Sequence, residues 1–175
     1  MSSYLAPDGD LSALATYCGI KTQTAALLAD LAEDVAAATL AVEARCGPVA
    51  ARTATVALRG ARAEILAPWR PASLVSYVTE AGESLDVSGW IVDGFIVTRP
   101  GWAIIPAGTL TYSTGYPSGE VPEPLVIVGR QMVRQLWRAR VGNPRAEGEP
   151  GVGVLWTNQA ELLAGPYLLP PLGFS

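Results

Sequence analysis

The sequence predicts an α+β fold, and three observations carry that prediction. Apolar residues recur at helical spacing before Pro48 and again after Pro122. Between those stretches the pattern changes to period two, as a half-buried strand requires. The turn dipeptides Ala81-Gly82 and Asp93-Gly94 divide that middle region into short strands. The expected architecture is an N-terminal helix pair and a long C-terminal helix forming a helical bundle, with an inserted antiparallel β-region and an extended C-terminal tail. Residues 1–51 and 117–142 would form the helical body, residues 52–116 the β-region, and residues 143–175 the tail with one short helix.

The first helix falls within DGDLSALATYCGI, with Asp10 as N-cap and Leu11, Leu14 and Ala15 apolar. The second falls within KTQTAALLADLAEDVAAATLAVEARCG. Thr22 or Thr24 can cap it, and Gly47 followed by Pro48 ends it. Leu27, Leu28, Leu31, Val35, Ala38 and Val42 define its buried face, with Asp30, Glu33, Asp34 and Glu43 mostly off that face.

In the β-region, TATVALRGARAEILAPW reads as two short strands about a turn near Arg59-Gly60. LVSYVTEAGESLDV turns at Ala81-Gly82. GWIVDGFIVTRPGWAII is the clearest hairpin, because Asp93-Gly94 suits a tight type I′ turn. GTLTYSTGY is the last strand. The region is too short for two full sheets of ordinary strands. Helix returns from Pro122 to Arg140, and Pro122 or Pro124 can occupy its first turn. Past Gly142 the chain is rich in Pro and Gly. It then holds one helical segment, TNQAELLAG, and ends in an apolar stretch that Pro166, Pro170 and Pro171 keep irregular.

Composition narrows the function classes. Half of the 175 residues are hydrophobic and 16% are charged, low for a free monomer and suited to a subunit that hides surface against neighbours. There is no histidine, which excludes Ser-His-Asp and Cys-His sites and His-ligated metals. No metal-ligand spacing surrounds Cys18 and Cys46. They are expected reduced and buried, and a disulfide between them is left open. No Gly-rich phosphate loop occurs, and the carboxylate pair Asp30/Asp34 is the nearest approach to an acid–base site. Neither an enzyme nor a cofactor is expected. The opening MSSYLAPDGD has no basic region or apolar core, so no leader is expected, and no apolar run reaches the ~18 residues of a membrane span.

Charge is uneven along the chain. Residues 1–47 carry six acids against Lys21 and Arg45, whereas Leu125 to Arg145 holds five arginines and no acid. On the C-terminal helix, Arg130, Arg134 and Arg138 fall at i, i+4 and i+8, opposite Leu125, Val128, Met132, Val133 and Leu136. Three readings stand for this stripe: a solvated face, ion pairing with the acidic N-terminal helices within or between subunits, or phosphate contact. The tryptophans Trp69, Trp90, Trp102 and Trp137 are expected in packing roles; Trp156 suits a partner groove equally well.

The order of parts resembles the head-to-tail connector, or adaptor, proteins of tailed bacteriophages. The resemblance rests on Leu110-Thr111-Tyr112-Ser113-Thr114-Gly115-Tyr116, then Val121-Pro122-Glu123-Pro124-Leu125, then Gln135-Leu136-Trp137-Arg138. Two opening helices ending in EARCGP, and a hairpin insert before the Tyr-Gly-Tyr strand, are also similar, over roughly residues 8–142. The resemblance implies a structural subunit without chemistry: a homo-oligomeric ring of twelve copies in the virion neck, beneath the portal protein. Such a ring would extend the DNA channel and dock the next neck or tail protein. The helical body would form the ring and the β-region would face partners. The tail would reach the portal through Trp156, Tyr167, Leu168, Leu169 and Phe174. Genomic DNA would pass without specific binding, and Asp30, Glu33 and Asp34 are candidates to face it, since like charge prevents sticking. Arg130, Arg134 and Arg138 would then meet Asp30, Glu33 and Asp34 within or between subunits. A stopper or tail terminator is the alternative, expected to be more β-rich, and a DNA-binding module is a more distant one.

Overall fold

The structure is a computed structural model that describes residues 3–6, 8–141 and 158–169. It is a mixed fold of α-helices and antiparallel sheets, and the chain divides into two compact units. Residues 1–47 and 118–175 make the first, and residues 48–117 make the second.

The first unit contains α1 (Ser12–Cys18), α2 (Ala25–Cys46), α3 (Glu123–Arg140) and α4 (Asn158–Ala164). α3 packs against the other three. Asp10 acts just ahead of α1: its Oδ1 accepts from the Ser12 N–H at 2.8 Å, while Leu11 takes the N-cap backbone position. Thr24 is the cap of α2, its side chain accepting from the Leu27 N–H at 3.3 Å. Gly47 closes α2 at φ 78°, a left-handed value that glycine adopts without a Cβ clash. Pro122 is the N-cap of α3, and Pro124 lies in its first turn. Leu125, Val128, Met132, Val133 and Trp137 are buried on α3, facing Leu31, Val35, Ala38 and Val42 of the same core. Each such large aliphatic contributes about 1.5–3 kcal/mol when fully removed from water. Gly129 is buried among them because residues 3–6 cross α3 there: a Cβ at Gly129 would lie 2.4 Å from the Tyr4 hydroxyl.

The second unit holds two sheets. One has the order β1-β7-β3-β4, formed by Arg52–Leu58, Gly108–Thr114, Pro71–Thr79 and Ser84–Leu85. The other has the order β2-β6-β5, formed by Glu64–Leu66, Ile96–Thr98 and Ile91–Asp93. Two sheets fit in so short a region because the strands of the second are only three residues each. Tyr77, Leu110, Tyr112, Ile65, Val97 and Ile105 form the shared core, with the Tyr77 and Trp90 rings 5.3 Å apart. The Tyr77 hydroxyl donates to the Pro106 carbonyl, giving this buried phenol its partner.

The two segments about Arg59-Gly60 are strands as expected, and their partners are distant: β1 joins β7 and β2 joins β6. A local turn signal cannot specify a partner fifty residues away. The Asp93-Gly94 hairpin does form, but Asp93 pairs with Ile96, so the loop is Gly94-Phe95. Gly94 therefore sits first in the loop at φ 60°, the glycine position of a type II′ turn.

Candidate functional site

The densest polar cluster lies in the helical unit, where the end of α3 meets the acidic stretch of α2. Arg140 Nη2 donates to Asp34 Oδ1 at 2.8 Å and to Glu33 Oε2 at 3.1 Å. Its Nε donates to Asp34 Oδ1 at 3.2 Å, and its Nη1 lies 3.6 Å from Asp30 Oδ1. The hydrogen bonds that the guanidinium donates to Asp34 and Glu33 hold its pKa above the ordinary value. Helix geometry explains the gathering. Asp30, Glu33 and Asp34 are separated by three and four residues, so they share one side of α2. Arg140 closes the last turn of α3, where a cation also opposes the negative end of the helix dipole.

Asp30, Glu33 and Asp34 thus come together, but the arginine that gathers them lies outside the i, i+4, i+8 stripe. Arg130 and Arg138 are exposed. Arg134 is half-buried, with Cζ 5.5 Å from the centre of the Tyr17 ring on α1, a cation–π arrangement. Asp34 is also corrected. Expected off the apolar face, it is 5% exposed, and its buried Oδ2 finds no hydrogen-bond partner among the described residues. A carboxylate so enclosed is not available to line a channel from this chain. The missed signal was legible: Arg140 follows Val133 by seven residues and Leu136 by four, which places it on the apolar face.

Burial lowers the thiolate population of both cysteines. Burial pushes the Cys18 pKa up, against a smaller opposing pull from Arg134. Burial pushes Cys46 up to about 11. Both cysteines are free. Among the described residues, no group of three or more Cys, Asp or Glu side chains is placed to hold a metal ion. Among the same residues no helix is long and apolar enough to cross a membrane.

Tyr167, Leu168 and Leu169 are half-buried on the helical unit. The Leu169 N–H donates to the Arg45 carbonyl at 2.8 Å, and Glu161 of α4 lies 3.6 Å from the Arg45 guanidinium. Trp156 and Phe174 lie outside the described residues.

In the β-unit, sequence reasoning missed an exposed apolar surface. Cross-strand register places Leu66 opposite Ile96 on the small sheet, and both side chains are exposed. Trp69 and Trp90 pack against the core as expected, but Trp102 is 68% exposed. Its φ is 56°, the one positive value among the described non-glycine residues. An exposed aromatic in a strained backbone conformation is a candidate contact residue.

No family model matches the chain, and no curated protein matches it by sequence. A match in fold does exist. One chain of the solved structure "Virion of native gene transfer agent (GTA) particle" superposes with a TM-score of 0.60 and 19% identity. The match covers 94% of this chain and 93% of the other. The two share a fold.

Proposed function

We propose that the chain is a structural subunit of a phage-like virion, and more finely a head-to-tail adaptor. In this reading copies form a ring in the neck, below the portal protein, that extends the DNA channel and docks the next neck or tail protein. The observation that carries the reading is the near end-to-end fold match with a chain of a virion particle, covering 94% and 93% of the two chains. A fold shared over full lengths, rather than over one motif, favours a shared architectural role. The sequence resemblance to head-to-tail adaptors points independently in the same direction.

The site chemistry agrees with a role in assembly and not in catalysis. In the helical unit Asp30, Glu33 and Asp34 are engaged by Arg140, and burial raises the pKa of both thiols. A DNA-binding module would need a basic stripe aimed at phosphates. Of the stripe on α3, Arg134 is engaged by Tyr17, which leaves two exposed arginines, Arg130 and Arg138, within a chain of net charge -4.

The test is to image the native particle that contains this chain and to locate and count its copies. Density for a ring between capsid and tail is expected, together with co-purification with the portal protein. A protein absent from the particle, or one whose duplex-DNA affinity falls steeply with salt, would replace this reading with a different function.

A further inference from the structure

We infer that copies of this chain join head-to-tail through the two free edges of the four-stranded sheet, β1 of one copy receiving β4 of the next. The inference deepens the ring reading and rests on it for closure of the assembly.

The sheet has unlike edges. β1 is seven residues long, pairs with β7 in unbroken register, and has no proline or lysine. Among the described residues, no backbone hydrogen bond leaves the outer side of Thr53–Leu58. Such an edge is a template for another strand. At the opposite side, β4 is a two-residue strand whose outer backbone is likewise unpaired among the described residues.

Charge distinguishes the two. The β1 edge carries Arg59 and Arg62, and no acid occurs from Val49 to Ala63. The β4 edge carries Glu80, Glu83 and Asp86, all exposed, and no base occurs from Pro71 to Thr98. Arg59 and Arg62 make no ion pair among the described residues.

The register makes the edges complementary in position as well as sign. Leu58 pairs with Gly108, Gly108 pairs with Thr79, and the Thr79 N–H donates to the Glu83 carbonyl, so Arg59 and Glu83 sit at the same end of the sheet. They are separated by the sheet's width, about 14 Å for the three strand spacings from β1 to β4. They cannot satisfy one another within a copy, yet a lateral step to a second copy brings them together. Along the same rows Val56 aligns with Leu110, Tyr77 and Leu85. Val56 and Leu85 are only half-buried at the two margins, and pairing would place them side by side on the core face. Strand direction also agrees, because β1 and β4 run oppositely and would meet antiparallel. Pairing like edges would instead set arginines against arginines, or acids against acids. Contact between unlike edges is heterologous, the kind that builds rings when its rotation closes.

The experiment places cysteines at facing positions. In a Cys18→Ser/Cys46→Ser background, Ala57→Cys and Ser84→Cys are combined in one chain. Both positions are exposed, and register puts Ser84 of one copy opposite Ala57 of the next. Oxidation of the assembled protein is expected to give a ladder of trimers and larger species on a non-reducing gel, and each single-cysteine chain no ladder. Charge supplies an independent arm. Arg59→Glu/Arg62→Glu or Glu80→Arg/Glu83→Arg alone should shift assemblies to the monomer in light scattering, and mixing the two variants should restore the assembled size. Rings that form normally with neither cross-link nor charge sensitivity would overturn the inference while leaving the ring reading standing. Cross-linking that stops at a dimer in either single-cysteine chain would overturn the head-to-tail direction. A wild-type chain that stays monomeric alone and with portal protein would remove both.

Discussion

The two units of this chain handle charge in opposite ways. In the helical unit, three carboxylates of α2 converge on Arg140, and the buried member, Asp34, receives two of its hydrogen bonds. In the β-unit, Arg59 and Arg62 stand at one margin of a sheet and Glu80, Glu83 and Asp86 at the other, and among the described residues none of the five forms an ion pair. The first arrangement is an internal device that fixes how α3 lies on α2. The second leaves electrostatic demand to be met from outside. In the assembly reading proposed above, the first sets the body's shape before contact and the second gains only on contact.

The largest expected effect tests whether the β-unit is as rigid as that contrast requires. A Cβ at Gly108 would lie 2.4 Å from the Val78 carbonyl oxygen and 2.8 Å from the Thr79 Cα. Those atoms are backbone, so nothing flexible can swing away, and β3 or β7 must shift. Gly108→Ala is expected to destabilise by about 3 kcal/mol, the upper range for overpacking. Urea denaturation would measure it, and a loss under about 1 kcal/mol would mean that the strand pairing deforms easily.

Breaking the internal device comes next. Arg140→Ala strands the Asp34 carboxylate, whose side chain is 7% exposed. Removing one member of a buried pair costs about 3–5 kcal/mol. Because the Arg140 side chain is 37% exposed, solvent screening brings the loss below that range, though it should remain larger than at the exposed stripe arginines. Arg130→Ala and Arg138→Ala, at exposed positions, should each change stability by less than about 0.5 kcal/mol. If all three arginines behaved alike in thermal and urea unfolding, the helical unit would have no privileged clamp.

That difference shows what the sequence can and cannot disclose. The helices α2 and α3 were legible because their apolar faces recur for several turns, and Thr24, Gly47 and Pro124 carry their own stop and start chemistry. The Arg140 cluster was half legible. The acids and arginines announced a pairing by composition, but the choice among arginines depended on how α3 rotates against α2. Asp34 misled because a charged residue is assigned to solvent unless a partner is known. Pairing of β1 with β7 was not legible at all, since its register is set by a core formed from distant strands. The exposure of Trp102 was hidden for the same reason: a tryptophan's burial is a property of what surrounds it.

Trp102 gives a smaller effect of opposite sign. Its φ of 56° is strained for any residue with a Cβ, at about 1–3 kcal/mol. Trp102→Gly relieves that strain and removes exposed apolar area, while glycine adds chain entropy to the unfolded state. Stability is expected to stay level or rise by about 1 kcal/mol in the same unfolding assay. Incorporation into particles, scored by quantitative blotting, is expected to fall. A clear loss of stability would instead assign Trp102 a packing role in the β-unit.

The last effect leaves neutral-pH stability untouched and probes how closed the helical unit is. Burial raises the Cys46 pKa from the ordinary 9.0 to about 11, so the folded chain holds its proton where the unfolded chain releases it. The sign follows directly. The thiol's contribution is complete below pH 9 and declines as pH rises toward about 11, because the unfolded state then binds fewer protons. At pH 8 the thiolate population should be about 100-fold below that of an unburied thiol. Alkylation of Cys46 by iodoacetamide, followed by peptide mass spectrometry, should be slowed by a similar factor relative to the urea-unfolded chain. Arg140→Ala, which loosens the contact of α3 with α2, should speed that labelling if the clamp governs opening of the unit. Unchanged labelling would confine the clamp's influence to the end of α3 where Arg140 sits.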